Sequence, residues 1–151
     1  MTTIICVGKK TEPMYEQVTV HFESRLKFYT KISWQILPHS SLESYAARIG
    51  ESKSILAKIQ PLDYVILLDE IGEVLTSPQL AAHIEKSQNS SRNMVLVIGG
   101  AYGVDSSVRS RADVCLAFGK AVFPHQLMRI MLLEQMYRAY SILAGSKYHH
   151  T

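Results

Sequence analysis

The chain has 151 residues, 47% of them hydrophobic and 19% charged, which suits one folded domain with a sizeable core and excludes disordered or low-complexity classes. A formal charge of +3 and a pI near 8.9 permit a polyanionic partner without requiring one. No apolar run approaches the roughly 20 residues of a membrane span, and the N-terminal apolar stretch lacks a preceding basic region, so no signal peptide and a cytoplasmic location are expected.

The first element is a strand, Thr3–Val7, running into Gly8-Lys9-Lys10. Pro13 then opens a helix whose Met14, Val18, Phe22, Leu26 and Tyr29 recur at three-to-four spacing on one predicted face. A strand at Trp34–Leu37 and a helix from about Leu42 to Ile59 follow. Tyr64–Asp69 and Met94–Ile98 are apolar without alternation, the pattern of strands covered on both faces of a parallel sheet. Between them a helix begins with Ser77 as the expected N-cap and Pro78 at its first position. Val114–Phe118 makes a fifth strand, and a last helix runs from about Pro124 to Leu143. Strand–helix alternation throughout predicts an α/β fold, a mostly parallel sheet flanked by helices, in a single domain spanning residues 1–151.

The last helix departs from the pattern of a surface helix. Leu127, Ile130, Met131, Tyr137 and Tyr140 form one stripe, and Met128, Leu132, Leu133 and Met136 extend it nearly all the way round. Only Glu134 and Arg138 form an obvious ion pair on it. A second apolar face on so small a chain points to a homodimer interface.

Ligands of open α/β sheets collect beyond the C-terminal ends of the strands. Three such ends stand out: Leu68-Asp69-Glu70-Ile71-Gly72, Gly99-Gly100-Ala101-Tyr102-Gly103 and Phe118-Gly119-Lys120. If their strands are neighbours, these ends converge on one pocket. The chain has neither a G-x-G-x-x-G turn after its first strand nor a G-x-x-x-x-G-K-[ST] loop, which excludes the common dinucleotide and triphosphate cradles. Its six histidines include no metal-binding spacing, so no metal is expected. Cys6 and Cys115 lie in apolar strands and read as reduced, inert thiols. His125, following Pro124 at a helix start beside the pocket, is either a functional or a structural histidine on this pattern alone.

Several segments together carry a resemblance. Ile98-Gly99-Gly100, Gly103, Phe123-Pro124-His125-Gln126-Leu127-Met128-Arg129, Glu134-Gln135-Met136-Tyr137-Arg138-Ala139-Tyr140 and Tyr148-His149 resemble the RlmH family. These are 23S ribosomal RNA pseudouridine-N3 methyltransferases of the SPOUT superfamily. Cys6-Val7-Gly8-Lys9, Leu67-Leu68-Asp69 and Thr76-Ser77-Pro78-Gln79-Leu80-Ala81 extend the likeness over the whole length.

The resemblance implies a C-terminal trefoil knot, an obligate homodimer, S-adenosylmethionine as cofactor, and action on 23S rRNA in the assembled ribosome, at pseudouridine 1915. It places the cofactor against Leu68, Gly99, Gly100, Phe118, Gly119, Lys120, Ala121, Val122 and Phe123, and catalysis at His125, Arg129, Tyr148 and His149, with the tail of one subunit completing the site of the other. The family ends in Tyr-His followed by Arg or Lys, whereas His150 stands here, which would make RNA binding more sensitive to pH. A SPOUT enzyme acting on transfer RNA or another ribosomal base, and a non-catalytic RNA-binding dimer, are the alternatives.

Overall fold

The computed structural model describes residues 1–42 and 44–149. Glu43, His150 and Thr151 lie outside the described residues, and with them the expectation attached to His150.

Five strands, β1 (Thr2–Val7), β2 (Ile32–Leu37), β3 (Tyr64–Val74), β4 (Met94–Ile98) and β5 (Val114–Ala117), form one sheet in the order β2-β1-β4-β3-β5. Every pairing is parallel. Side chains alternate between two apolar layers, as a pleated strand requires. Ile4, Cys6, Ile66, Leu68, Leu96 and Ile98 face one layer, while Ile5, Val7, Val65, Leu67, Val95 and Val97 face the other. The first is covered by α1 (Pro13–Leu26), α3 (Ser77–Asn89) and α5 (His125–Leu143), with α5 packed between α1 and α3. The second is covered by α2 (Ser44–Leu56) and a short α4 (Ser106–Arg111), through Ile55 and Val108.

Several sequence expectations shift. Thr76, not Ser77, caps α3: its hydroxyl accepts from Gln79 N–H, and the Gln79 side chain accepts from Thr76 N–H at 2.8 Å, a reciprocal capping box. Ser77 is thereby free to donate to Gln135 of α5 at 2.8 Å. The predicted α1 stripe is buried only toward its end, where Leu26 meets the core and Tyr29 stacks on Tyr140 of α5. Met14 and Val18 are exposed. The α2 helix is shorter than predicted, β3 runs on to Val74, and α4 is an addition.

Asp113 ties the start of β5 to the rest of the sheet. It accepts from Val65 N–H at 2.8 Å and from Arg92 at 2.9 and 3.0 Å, and Arg92 also donates to the carbonyls of Leu62 and Asp63. Burial alone would raise the Asp113 pKa, but the Arg92 and Val65 hydrogen bonds and the charges of Arg92 and Arg111 outweigh it and hold the carboxyl below its ordinary 3.8. A depressed carboxyl contributes its stability above the unfolded-state pKa and loses it as pH falls through the folded-state value. Asp113→Ala is therefore expected to lower stability at neutral pH by about 2 kcal/mol, leaving Val65 N–H and Arg92 unsatisfied. The gap from wild type should close below about pH 4 in urea unfolding.

Candidate functional site

A cavity of about 340 Å³ opens at the C-terminal ends of β4 and β5, beside the middle of β3 where its pairing with β4 stops at Leu68. Its floor is Leu68, Ile98 and Leu116; one wall is the turn from Gly99 to Val104; the other is Ala117, Phe118, Gly119, Ala121, Val122 and Phe123. His125 and Met128, from the first turn of α5, complete the lining. The sheet order explains the convergence. With β3 between β4 and β5, residues 68–70 of β3 and the segments leaving β4 and β5 come to one place.

The glycines at the end of β4 are required by close contacts. A Cβ on Gly99 would lie 2.8 Å from Val104 Cγ1 and 3.3 Å from the Gly103 backbone, and one on Gly100 would collide with the Glu51 carboxylate. The rim is polar: Asp69 pairs with Arg109 at 2.8 Å, and Glu70 and Arg48 add an acid and a base. The Asp69–Arg109 pair leaves the mouth with no large net charge.

Behind this cavity lies a set of buried polar groups. Arg129 is 2% exposed, and its Nε and Nη1 have no hydrogen-bond partner among the described residues. Glu51, 5% exposed, accepts from Ser40 N–H at 2.9 Å through Oε1, while Oε2 is unpartnered. His39 Nδ1 lies 3.9 Å from Glu51 Oε1. Gly8 has φ +143, a conformation that glycine takes without strain. A Cβ there would sit 3.3 Å from Arg129 Nη2 and 3.6 Å from His39 Nε2.

The His125 Nδ1 atom is also buried and unpartnered. Burial, together with the positive charges of Arg129 and His39, lowers its pKa below the ordinary 6.5 despite the Glu51 carboxylate and the Gly99 carbonyl, so the ring is neutral at physiological pH. Cys6 and Cys115 are raised by burial and remain thiols.

Of the residues singled out in the sequence, Leu68, Gly99, Gly100, Phe118, Gly119, Ala121, Val122, Phe123 and His125 line the cavity. Lys120 is exposed and outside its lining. Arg129 sits behind it. Tyr148 lies apart, donating to Glu134 at 3.3 Å and packed on Tyr137 and Arg138, about 18 Å of helix from His125. His149 is half-buried beside it in the chain.

Sequence reasoning missed Arg48, Glu51, Val104 and Met128. For Glu51 a signal existed: it interrupts the buried series Ala47, Glu51, Ile55 on α2, an acid at a core-facing position. Among the described residues no cluster of three or more His, Cys, Asp or Glu is arranged for a metal ion, and no helix is long and apolar enough to cross a membrane.

Comparison with known proteins places this geometry in context. A family model described as predicted SPOUT methyltransferase matches residues 1–149. The ribosomal RNA large subunit methyltransferase H of Nitratidesulfovibrio vulgaris (strain DP4) is 37% identical over 150 residues, covering 97% of this chain and 96% of the relative. The protein of the same name from Solidesulfovibrio magneticus is 39% identical over 150 residues, covering 97% of each. That from Christiangramia forsetii is 34% identical over 152 residues, again covering 97% of each. Among solved structures, the SpoU methyltransferase AviRb from Streptomyces viridochromogenes, crystallised with AdoMet, superposes with a TM-score of 0.48 at 11% identity. The match covers 97% of this chain and 59% of AviRb.

Proposed function

Since the chain belongs to the SPOUT methyltransferase family, we propose that it transfers a methyl group from S-adenosylmethionine to N3 of a pseudouridine in large-subunit ribosomal RNA, working as a homodimer on assembled ribosomes in the cytoplasm. The observation that carries this reading is the cavity beside β3 at the ends of β4 and β5, in a chain matched along nearly its whole length by ribosomal RNA large subunit methyltransferases H.

The cavity residues fit the cofactor. Leu68, Leu116, Phe123 and Met128 offer apolar surface to an adenine, and main-chain groups of the 118–123 segment offer hydrogen bonds to its edge. Gly99 and Gly100 keep the opposite wall thin enough for close backbone approach. When bound, S-adenosylmethionine supplies an electrophilic methyl group. The protein's own contribution is orientation and charge. His125, neutral and unpartnered at Nδ1, avoids placing a cation beside a sulfonium and is available to a proton of the target base. Arg129, with unfilled donors, is suited to hold the negative charge that N3 deprotonation spreads onto the ring oxygens.

The path of the chain supports a knot. After β5 at the sheet edge, Phe118 to Phe123 share the cavity with residues of β3 and the turn after β4, and Gln126 reaches the Lys10 carbonyl beyond β1, so this segment threading an earlier loop is part of the reading. The face of α5 turned from the core supports the dimer: Leu127, Ile130 and Met131 are only half-buried, an apolar surface suited to a second copy. In that dimer, Tyr148 and His149 of each subunit complete the partner's site.

Calorimetry with S-adenosylmethionine tests the cofactor assignment and separates an enzyme from a scaffold that has kept the fold; absence of binding by the dimer contradicts it. Affinity should be level at neutral and higher pH and fall only on the acid side of the ordinary histidine value of 6.5, as His125 gains a charge that repels the sulfonium. His125→Gln should remove that dependence.

A further inference from the structure

Among the described residues, the charged groups that line the cavity are Arg48, Asp69, Glu70 and Arg109. Asp69 and Arg109 satisfy one another at 2.8 Å. Arg48 enters no ion pair among the described residues, and its Nε is buried without a hydrogen-bond partner. A guanidinium stays charged at any physiological pH and offers donors only. One that lines a cavity with its Nε shut off from water is completed by a ligand that brings an anion.

Arg48 reaches the cavity from α2, and the packing of that helix explains how. One face of α2 is fastened to the turn after β4: Glu51 lies against Gly100, and Asp105 N–H donates to Ser52 Oγ at 2.9 Å. Arg48 precedes these two residues by three and four positions, so it stands on the same helix face, one turn nearer the start of α2. Ala47, Glu51 and Ser52 are buried and hold that face in place. The Tyr45 ring backs the guanidinium, with Arg48 Cζ 5.2 Å from the ring centroid, which restricts the orientations open to the fork.

S-adenosylmethionine carries a single anion, the carboxylate of its methionyl part, beside an ammonium and a sulfonium. Resting on the function proposed above, we propose that Arg48 binds this carboxylate, holding the methionyl end at the α2 side of the cavity while the adenine takes the apolar floor and the 118–123 segment. A planar guanidinium matches a carboxylate with two parallel N–H···O bonds, which fixes direction as well as position. An RNA phosphate would meet Arg48 from solvent; the burial of Nε and the place of Arg48 in the lining favour an anion inside the cavity. On this assignment α2 is part of the cofactor site, and Arg48 contributes affinity and orientation, not proton transfer.

The test is calorimetry with S-adenosylmethionine and with its decarboxylated form, which lacks only the carboxylate, on wild type and on Arg48→Met, which keeps an apolar stem without the charge. Wild type should bind the intact cofactor more tightly by about tenfold to a hundredfold, the range for a hydrogen bond to a charged group. R48M should lose most of that preference by weakening on the intact cofactor, with no loss of affinity for the decarboxylated form. A preference kept in full by R48M, or an equal loss for both ligands in a folded R48M, overturns the assignment. So does R48M that binds the cofactor as wild type does but binds large ribosomal subunits more weakly, which would give Arg48 to the RNA backbone. Equal affinities of wild type for the two ligands overturn it as well, and that comparison stands even if R48M does not fold. Wild type that binds neither ligand instead overturns the functional reading beneath it.

Discussion

Replacing Gly100 with alanine is expected to remove methyl transfer almost entirely from a protein that still folds. The added Cβ would overlap Glu51 Oε2 and come 3.2 Å from Val7 Cγ1. Val7, the last residue of β1, is buried in the core and cannot give way, so the carboxylate must. Moving it breaks the 2.9 Å bond to Ser40 N–H and shifts the segment carrying His39. Displacing groups near a reacting centre by an ångström costs about a hundredfold in rate, so kcat/KM should fall by at least that much. Gly103→Ala is the matched control. Its φ of +69 makes alanine strained, but no atom lies within 4 Å of the new methyl, so it should cost about 1 kcal/mol of stability and little activity. Equal activity of G100A and wild type in a steady-state methylation assay would mean that the Glu51–Gly100 contact has no part in the site.

Removing the chain after Gly145 is expected to leave cofactor binding intact and to cut methyl transfer by about a hundredfold or more, the loss typical of a removed transition-state contact. In one chain Tyr148 is held by Glu134, Tyr137 and Arg138, far along α5 from His125 and Met128. The tail therefore acts across a dimer or not at all. A mixed-dimer experiment separates these outcomes. A chain truncated after Gly145 retains a good cavity, and a G100A chain retains a good tail. Random exchange makes half the dimers mixed, each with one competent cavity facing one competent tail, so activity should recover to about a quarter of the wild-type level. If the tail served its own subunit, the mixture would stay inactive.

The strands were legible in the sequence because burial on both faces leaves an uninterrupted apolar run, and β4 has the predicted bounds Met94–Ile98. The α4 helix was hidden: Ser106-Ser107-Val108-Arg109-Ser110-Arg111 has one apolar residue and no period, and it is held by the Asp105 cap and by Val108 in the core. The extension of β3 was hidden too, since Glu70 and Glu73 disrupt the apolar pattern and the pairing with β5 resumes only after a register shift. The glycine-ended strands announced a cavity, because each marks where backbone must pass close to something. Sequence could not show which distant residues would meet there. Asp69 reaches Arg109 across 40 positions, and Glu51 reaches Gly100 only because α2 covers the end of β4. Those neighbours are set by strand order, which periodicity does not encode. The cofactor and the RNA target came from the resemblance, not from residue patterns.

Mass spectrometry of large-subunit ribosomal RNA from cells with and without this protein bears most directly on its function. Loss of one methylated pseudouridine in the deficient cells, restored by the wild-type gene and not by G100A, is the predicted result. An unchanged set of methylated nucleotides would contradict it.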